Sequence, residues 1–153
     1  MFRVTRSRLV EVTQRALALI AVQETWTCGT LARDAQGAPI SPFAPEAVRF
    51  CAIGALRNAA FQIMQGNECA AMQLARAIEF EVLSTGASLE SVNDGGGREA
   101  VAALLRKELA AATLRLAEYR SRALLTAFSQ LPLGECEQSA TPAASARPTV
   151  MPV

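Results

Sequence analysis

The segment 45–65 constrains the fold most, because it is apolar on almost every face when it is drawn as an α-helix. Pro45 suits the first turn of such a helix, because the N–H that proline lacks would have no hydrogen-bond partner there. A helix without a polar face needs neighbours on several sides, so it is expected at the centre of the molecule. The chain is 51% apolar but only 5% aromatic, which favours closely packed helices over a large β-sheet core.

Three further segments carry the apolar stripe of a surface helix, with spacings of three and four residues. They span about 6–23, 68–84 and 98–130. Gly66 and Asn67 separate the central helix from the next one, because glycine suits the end of a helix and asparagine its start. The residues expected to face inward are Leu9, Val12, Thr13, Ala16 and Ile20, then Ala71, Leu74, Ala75, Ile78 and Val82, and finally Leu105, Leu109, Ala112 and Leu116. We therefore predict a mainly α fold, a bundle of about four helices around a central buried helix.

Residues 25–42 interrupt the helical pattern. Thr and Gly are frequent at the beginning of this segment, and Asp34 and Gly37 stand at the first and fourth positions of a type I turn. The prolines that follow favour extended backbone and exclude a regular helix. We predict an irregular or short β-hairpin segment at 25–42.

The composition changes again after Leu131. Pro, Ser, Thr and Ala dominate the remaining residues, and bulky apolar groups are few. Such a segment buries too little apolar surface to offset the entropy lost on ordering. The predicted organisation is a helical domain over 1–131 and a disordered Pro/Ser/Thr/Ala-rich tail over 132–153.

The chain contains no histidine, and this narrows its chemistry. Its absence excludes Ser-His-Asp and Cys-His catalysis, His-ligated zinc and the usual general base near neutral pH. No motif implies a metal or another cofactor. An enzyme built on this chain would have to rely on carboxylates, cysteine, tyrosine or lysine.

Charge and hydropathy narrow the class of partner. The net charge of +1 gives no field that would attract nucleic acid, and no run of eighteen apolar residues predicts a membrane span. The basic and then apolar start, 1–22, is interrupted by polar residues such as Glu11, so we expect an amphipathic helix rather than a signal peptide. Four cysteines without CxxC spacing favour reduced thiols. These features predict a cytoplasmic protein without nucleic-acid or membrane partners.

Two predicted loops, 33–37 and 93–97, each hold one of the chain's two aspartates. If the loops converge, they could form a polar site for a cation or a small polar ligand. The residues of that site would be Arg33, Asp34, Asn93 and Asp94. The alternative is local: Asp34 opens a turn and Asp94 caps the last helix, which are common roles of aspartate in loops.

Cys51, Arg49 and Trp26 are the remaining candidates for a ligand site. A cation such as Arg49 could lower the pKa of the Cys51 thiol. The chain has no histidine, however, that could activate this thiol as a nucleophile. Cysteine also packs commonly as a small buried hydrophobe. We expect Cys51 to be buried and unreactive. Trp26 could stack on a ligand or cover the end of the helical core.

Several of these motifs occur together in a recognisable order. They are Trp26-x-x-Gly29, Ala32-Arg33-Asp34-x-x-Gly37, the block Cys51-Ala52-Ile53-Gly54-Ala55-Leu56, and Asn93-Asp94. Over about residues 9–106 the chain resembles a family of small bacterial and phage-associated proteins classed as a domain of unknown function. The resemblance implies no activity, cofactor or site.

Two hypotheses for function remain open. In the first, the chain is an accessory or binding protein without catalysis, whose partner is an unknown protein. In the second, it is a small ligand-binding domain or a histidine-free enzyme with its polar site at the loops 33–37 and 93–97. The long 98–130 helix also predicts a homodimer, unless it breaks near Tyr119 and folds back. The stripe expected to pair is Leu109, Ala112, Leu116, Ala123 and Ala127.

Overall fold

A computed structural model describes residues 5–83, Gly86 and 88–129, and the tail predicted at 132–153 lies outside these residues. The described residues form four α-helices and a small three-stranded antiparallel sheet, which confirms the mainly α class. The helices are α1 (Arg6–Leu19), α2 (Ala52–Ile63), α3 (Glu68–Leu83) and α4 (Leu89–Ser129). The strands are β1 (Ala32–Arg33), β2 (Pro39–Ile40) and β3 (Arg49–Phe50), in the spatial order β2-β1-β3.

Helix α2 lies at the centre of the molecule and contacts α1, α3 and α4. Its alanines and Leu56 are fully buried, so the prediction of a central buried helix is confirmed. The inward faces predicted for α1 and α3 are also confirmed, because every residue named for them is buried. Small side chains on α2 let three helices approach it closely, which is how an aromatic-poor chain fills a core at normal packing density.

The predicted start of the central helix at Pro45 was wrong. Residues 49–50 form β3, which pairs with β1 in the register Ala32 with Phe50. The helix begins at Ala52, with Cys51 as its N-cap. Strand pairing satisfies the backbone of 49–50 at the place where the apolar pattern alone suggested another helical turn.

The hairpin predicted within 25–42 is confirmed by the antiparallel pairing of β1 with β2. The turn between them follows the expected chemistry. Asp34 Oδ1 accepts a hydrogen bond from the Ala38 N–H at 2.8 Å, and the Gly37 N–H donates to Asp34 O at 3.1 Å. Gly37 has φ 87°, which favours glycine at that position.

The proline-containing segment after β2 is fastened to α2. The buried Asn58 donates from Nδ2 to Pro42 O at 2.7 Å, and the rings of Phe43 and Phe61 lie 5.0 Å apart. Asn58 is therefore a buried polar residue whose partner is a loop carbonyl, a role that helical periodicity does not predict.

Helix α4 departs from the prediction at its start and follows it at its end. Residues 93–94, expected in a loop, lie in helix instead, and the non-helical Gly97 (φ 71°, ψ −173°) separates this first segment, 89–96, from the long remainder. The remainder continues past Tyr119 to Ser129 without the fold-back considered from the sequence. Arg98 donates from Nη1 to Ala21 O at 2.6 Å and so ties the kink to the chain after α1. Among the described residues, none of the helices is both long and apolar enough to cross a membrane.

Candidate functional site

A cleft of about 200 Å³ opens where three parts of the fold meet. One wall is the loop 29–31, the second is the first turn of α2, and the third is the first segment of α4, 89–96. The lining residues are Gly29, Thr30, Leu31, Cys51, Ile53, Glu90, Asn93 and Asp94. The cleft is therefore built by segments that are far apart in the sequence.

Cys51 stands at the inner end of the cleft, where β3 passes into α2. Its backbone N–H donates to Leu31 O at 3.1 Å, and its Sγ accepts from the Gly54 N–H at 3.3 Å. Burial raises the pKa of the Cys51 thiol above its ordinary value, and the nearby charge of Asp94 acts in the same direction. The N–H groups of α2 and the charge of Arg57 oppose this shift without reversing it. The thiol is accordingly protonated at neutral pH, which makes it a poor nucleophile.

Asn93 links α4 to the start of α2. Its Oδ1 accepts from the Ala52 N–H at 2.9 Å, and its Nδ2 donates to Asp94 Oδ1 at 2.9 Å. The first N–H of a helix has no partner within the helix, and here a side chain from another helix supplies one. Asn93 therefore holds two walls of the cleft together and fixes the position of the neighbouring carboxylate.

Glu90 and Asp94 lie one helical turn apart and give the mouth of the cleft its negative charge. Both are exposed, and within the described ranges neither forms an ion pair. The described part of the chain also holds no group of three Cys, Asp or Glu side chains that could bind one metal ion. The charge of the mouth instead favours a ligand that is positively charged or donates hydrogen bonds.

The residues predicted from the sequence divide into two groups. Cys51, Asn93 and Asp94 line the cleft together. The other four, Trp26, Arg33, Asp34 and Arg49, do not line it. Ligand binding by any of the seven stays a prediction, but three of them now share one site.

The four residues outside the cleft have local partners. Arg33 donates from Nε to Thr27 Oγ1 at 2.9 Å and from Nη1 to Gly37 O at 2.8 Å. Asp34 accepts hydrogen bonds within its own turn, as the local alternative expected. Trp26 is half-buried against the core and forms a parallel bridge with Phe50, while Arg49 belongs to β3. The convergence proposed for Arg33 and Asp34 with Asp94 thus finds no support in their hydrogen bonds.

Sequence reasoning missed Glu90, Ile53 and the loop 29–31. Glu90 could have been found, because its spacing of four residues from Asp94 places both carboxylates on one face if 89–96 is helical. The loop could not, since its position depends on pairing between segments that are distant in the chain.

The thiols of Cys28, Cys51 and Cys69 are expected to differ in reactivity. Cys28 and Cys69 are exposed, whereas Cys51 is buried and its raised pKa keeps it protonated. We expect native protein at pH 7.5 to react with an aromatic disulfide reagent at Cys28 and Cys69, and at Cys51 only after denaturant is added. Peptide mapping of the labelled protein measures this. Labelling of Cys51 as fast as Cys69 would contradict the buried position.

Comparison with known proteins gives a family but no activity. A family model described as a family of unknown function, DUF6197, matches residues 4–117. Neither a curated protein nor a solved structure matches the chain. The matched residues contain every part of the cleft.

Proposed function

The chain belongs to DUF6197, a family of unknown function, and on that premise we propose that it is a non-enzymatic binding protein whose cleft accepts a small cationic group. The observation that carries the proposal is the pair Glu90 and Asp94 at the mouth, two carboxylates without a cationic partner in the described structure. A role as a cytoplasmic accessory protein with a phage connection belongs to the same proposal.

The hydrogen-bonding capacity of the cleft supports a cationic ligand. The amide of Asn93 is engaged at both ends, by the Ala52 N–H and by Asp94. The Cys51 Sγ already accepts from Gly54. Among the lining side chains, this leaves the carboxylates of Glu90 and Asp94 and the hydroxyl of Thr30 for a ligand. All three groups can accept hydrogen bonds from an ammonium or guanidinium group, and the bonds to carboxylates are the stronger ones.

The size of the cleft supports a side chain rather than a large metabolite. A volume of about 200 Å³ lies below the roughly 300–1,000 Å³ of typical small-molecule pockets. A lysine or arginine of a partner protein fits these limits, because its apolar stem can lie against Leu31 and Ile53 while its charge meets the carboxylates.

The chemistry of the cleft favours binding over catalysis. The thiol of Cys51 is held protonated, and the chain has no histidine to serve as a base. This proposal changes the polar site considered from the sequence in two ways. Asn93 and Asp94 line the cleft from a helix rather than a loop, and the second lining loop is 29–31 instead of 33–37.

A titration with Nα-acetyl-lysine methylamide tests the proposal. We expect the backbone amide signals of 29–31, Ile53 and Asp94 to shift saturably in ¹⁵N–¹H spectra, with a Kd of about 1–10 mM, since 1 mM corresponds to only about −4 kcal/mol. The norleucine analogue, which lacks the charge, serves as the neutral control. The double variant Glu90→Gln, Asp94→Asn should weaken binding of the lysine compound at least tenfold.

Glu68→Gln supplies the matched control variant. Glu68 is exposed at the start of α3, beyond the other end of α2, so its loss should leave the titration unchanged. Equal shifts with the lysine and norleucine compounds, or saturable binding of inorganic phosphate in the cleft, would be incompatible with a site for a cationic group.

A further inference from the structure

An arginine stands next to the cleft without lining it. Arg57 lies one helical turn after Ile53 on α2, and both side chains are half-buried on the same face of that helix. Ile53 lines the cleft, and the start of α2 is at its inner end. Because the Cα–Cβ bonds of a helix are tilted towards its N-terminus, the bond of Arg57 is tilted towards the end of α2 where the cleft lies.

The charge of Arg57 acts on a group inside the cleft. Burial raises the pKa of the Cys51 thiol, and the positive charge of Arg57 opposes part of that rise. The negative charge of Asp94 acts on the same thiol in the raising direction. The guanidinium of Arg57 and the carboxylate of Asp94 are therefore both within electrostatic range of one sulfur atom.

Glu79 of α3 is the partner of Arg57. Arg57 Nε lies 3.8 Å from Glu79 Oε1, so the two side chains form an ion pair, but the distance is too long for a hydrogen bond. Both atoms are shielded from water, and in the described structure neither has a hydrogen-bond partner. A charge-assisted hydrogen bond would be shorter, about 2.7–2.9 Å. Attraction between charges, rather than fixed hydrogen-bond geometry, thus holds Arg57 beside α3.

We infer that Glu79 holds Arg57 away from the acidic mouth of the cleft, and that Arg57 is an internal competitor for the cationic ligand. This inference rests on the proposed function. A guanidinium released from Glu79 would be a cation on the cleft's own helix, close to two carboxylates that have no ion pair in the described structure. Its effective concentration there would be about millimolar or higher, comparable with the expected Kd of about 1–10 mM for a lysine side chain.

Loss of the Glu79 charge should weaken binding of a cation in two ways. Arg57 would occupy the carboxylates of Glu90 and Asp94, and its uncompensated charge would repel a second cation at the same place. Glu79 does not line the cleft, so it acts on the ligand only through Arg57. Glu79 is accordingly a positioning residue.

Titration of Glu79→Gln with Nα-acetyl-lysine methylamide tests the inference. We expect binding about fivefold weaker than in the parent protein, which is the upper range for a partly exposed ion pair. The double variant Arg57→Gln, Glu79→Gln removes the competitor and should restore the parent Kd to within about twofold. Circular dichroism shows whether each variant is folded.

Two further variants separate charge from packing. Glu81→Gln is the matched control, because Glu81 also lies on α3 but pairs with Arg115, which lies beyond the Gly97 kink of α4. Its loss removes the same charge from α3 and should leave binding unchanged. Glu79→Asp changes the shape of the side chain more than Glu79→Gln does but keeps the charge. It should therefore bind the lysine compound more tightly than Glu79→Gln.

The Nε–H signal of Arg57 in ¹⁵N–¹H spectra reports on the guanidinium without any ligand. The signal is identified by its absence in Arg57→Gln. We expect it to shift in Glu79→Gln and to shift again when Asp94→Asn is added, because the guanidinium then loses its new partner. In the parent background Asp94→Asn should leave the signal in place.

Three outcomes would overturn the inference. They are parent-like binding by Glu79→Gln, failure of Arg57→Gln to restore that binding, and an Arg57 signal in Glu79→Gln that does not respond to Asp94→Asn. A parent protein that does not bind the lysine compound would instead show that the proposed function is wrong, and the Arg57 signal would then test the movement of Arg57 by itself.

Discussion

Replacing Gly54 with alanine is expected to lower the free energy of unfolding by about 4 kcal/mol or more, a large share of the 5–15 kcal/mol typical of a domain. An added Cβ would overlap Leu31 O and lie 2.7 Å from Leu31 C. Both atoms belong to the backbone, so no side-chain rotation relieves the clash. Helix α2 would have to move away from the loop, breaking the hydrogen bond from the Cys51 N–H to Leu31 O.

Thermal or urea unfolding followed by circular dichroism measures this effect. Gly95→Ala is the matched control, because an added Cβ at Gly95 meets no atom within 4 Å. Alanine has the higher helix propensity, so this control should be neutral or stabilising by up to about 1 kcal/mol. A Gly54→Ala protein as stable as the parent would show that α2 does not pack this closely against the loop 29–31.

Replacing Asn93 with alanine is expected to cost about 1–3 kcal/mol, the usual penalty for leaving a buried polar group without a partner. The Ala52 N–H is buried and donates to Asn93 Oδ1, so its loss leaves the start of α2 unsatisfied. Asp94 also loses its hydrogen bond from Asn93 Nδ2, and the carboxylate at the mouth becomes freer to move. Stability and binding of the lysine compound should therefore both fall.

Asn67→Ala provides the comparison for Asn93→Ala. Asn67 Oδ1 accepts from the Ala70 N–H at 3.0 Å, at the start of α3, but Asn67 itself is exposed. Water can replace an exposed capping group, so we expect a smaller loss, about 1 kcal/mol, and unchanged binding. If urea unfolding gives equal losses for the two variants, the contact between α4 and the start of α2 has no special role.

Much of the fold follows from local patterns. The inward faces of α1 and α3, the central position of α2 and the boundary at Gly66 and Asn67 all agree with the sequence prediction. Each depends on periodicity or on the conformational preference of one residue, which act over a few residues along the chain. The composition also predicted the way the core is packed, because a chain rich in alanine and poor in aromatic residues can fill its core by close helix packing.

The errors lie where tertiary partners overrule local preference. Residues 45–50 carry an apolar pattern that suits a helix, yet β3 forms because β1 offers its backbone a pairing. Asn93 and Asp94 precede three glycines and were expected in a loop, yet they are helical. In that conformation Asn93 Oδ1 accepts a hydrogen bond from the Ala52 N–H at the start of α2. Contacts of this kind join residues 41 positions apart, and no local pattern encodes them.

Spacing along the chain therefore predicted most of each helix and the buried faces of α1 and α3, because the residues of such a face recur every three or four positions. It did not predict the start of α2 or the helical segment 89–96. The tertiary structure decided which polar residues share a site. It separated Arg33 and Asp34 from Asp94 by giving each a local partner, and it added Glu90 and the loop 29–31. Hydrogen bonds and charges act over a few ångströms in space, so the membership of a cleft is fixed only when the elements have packed.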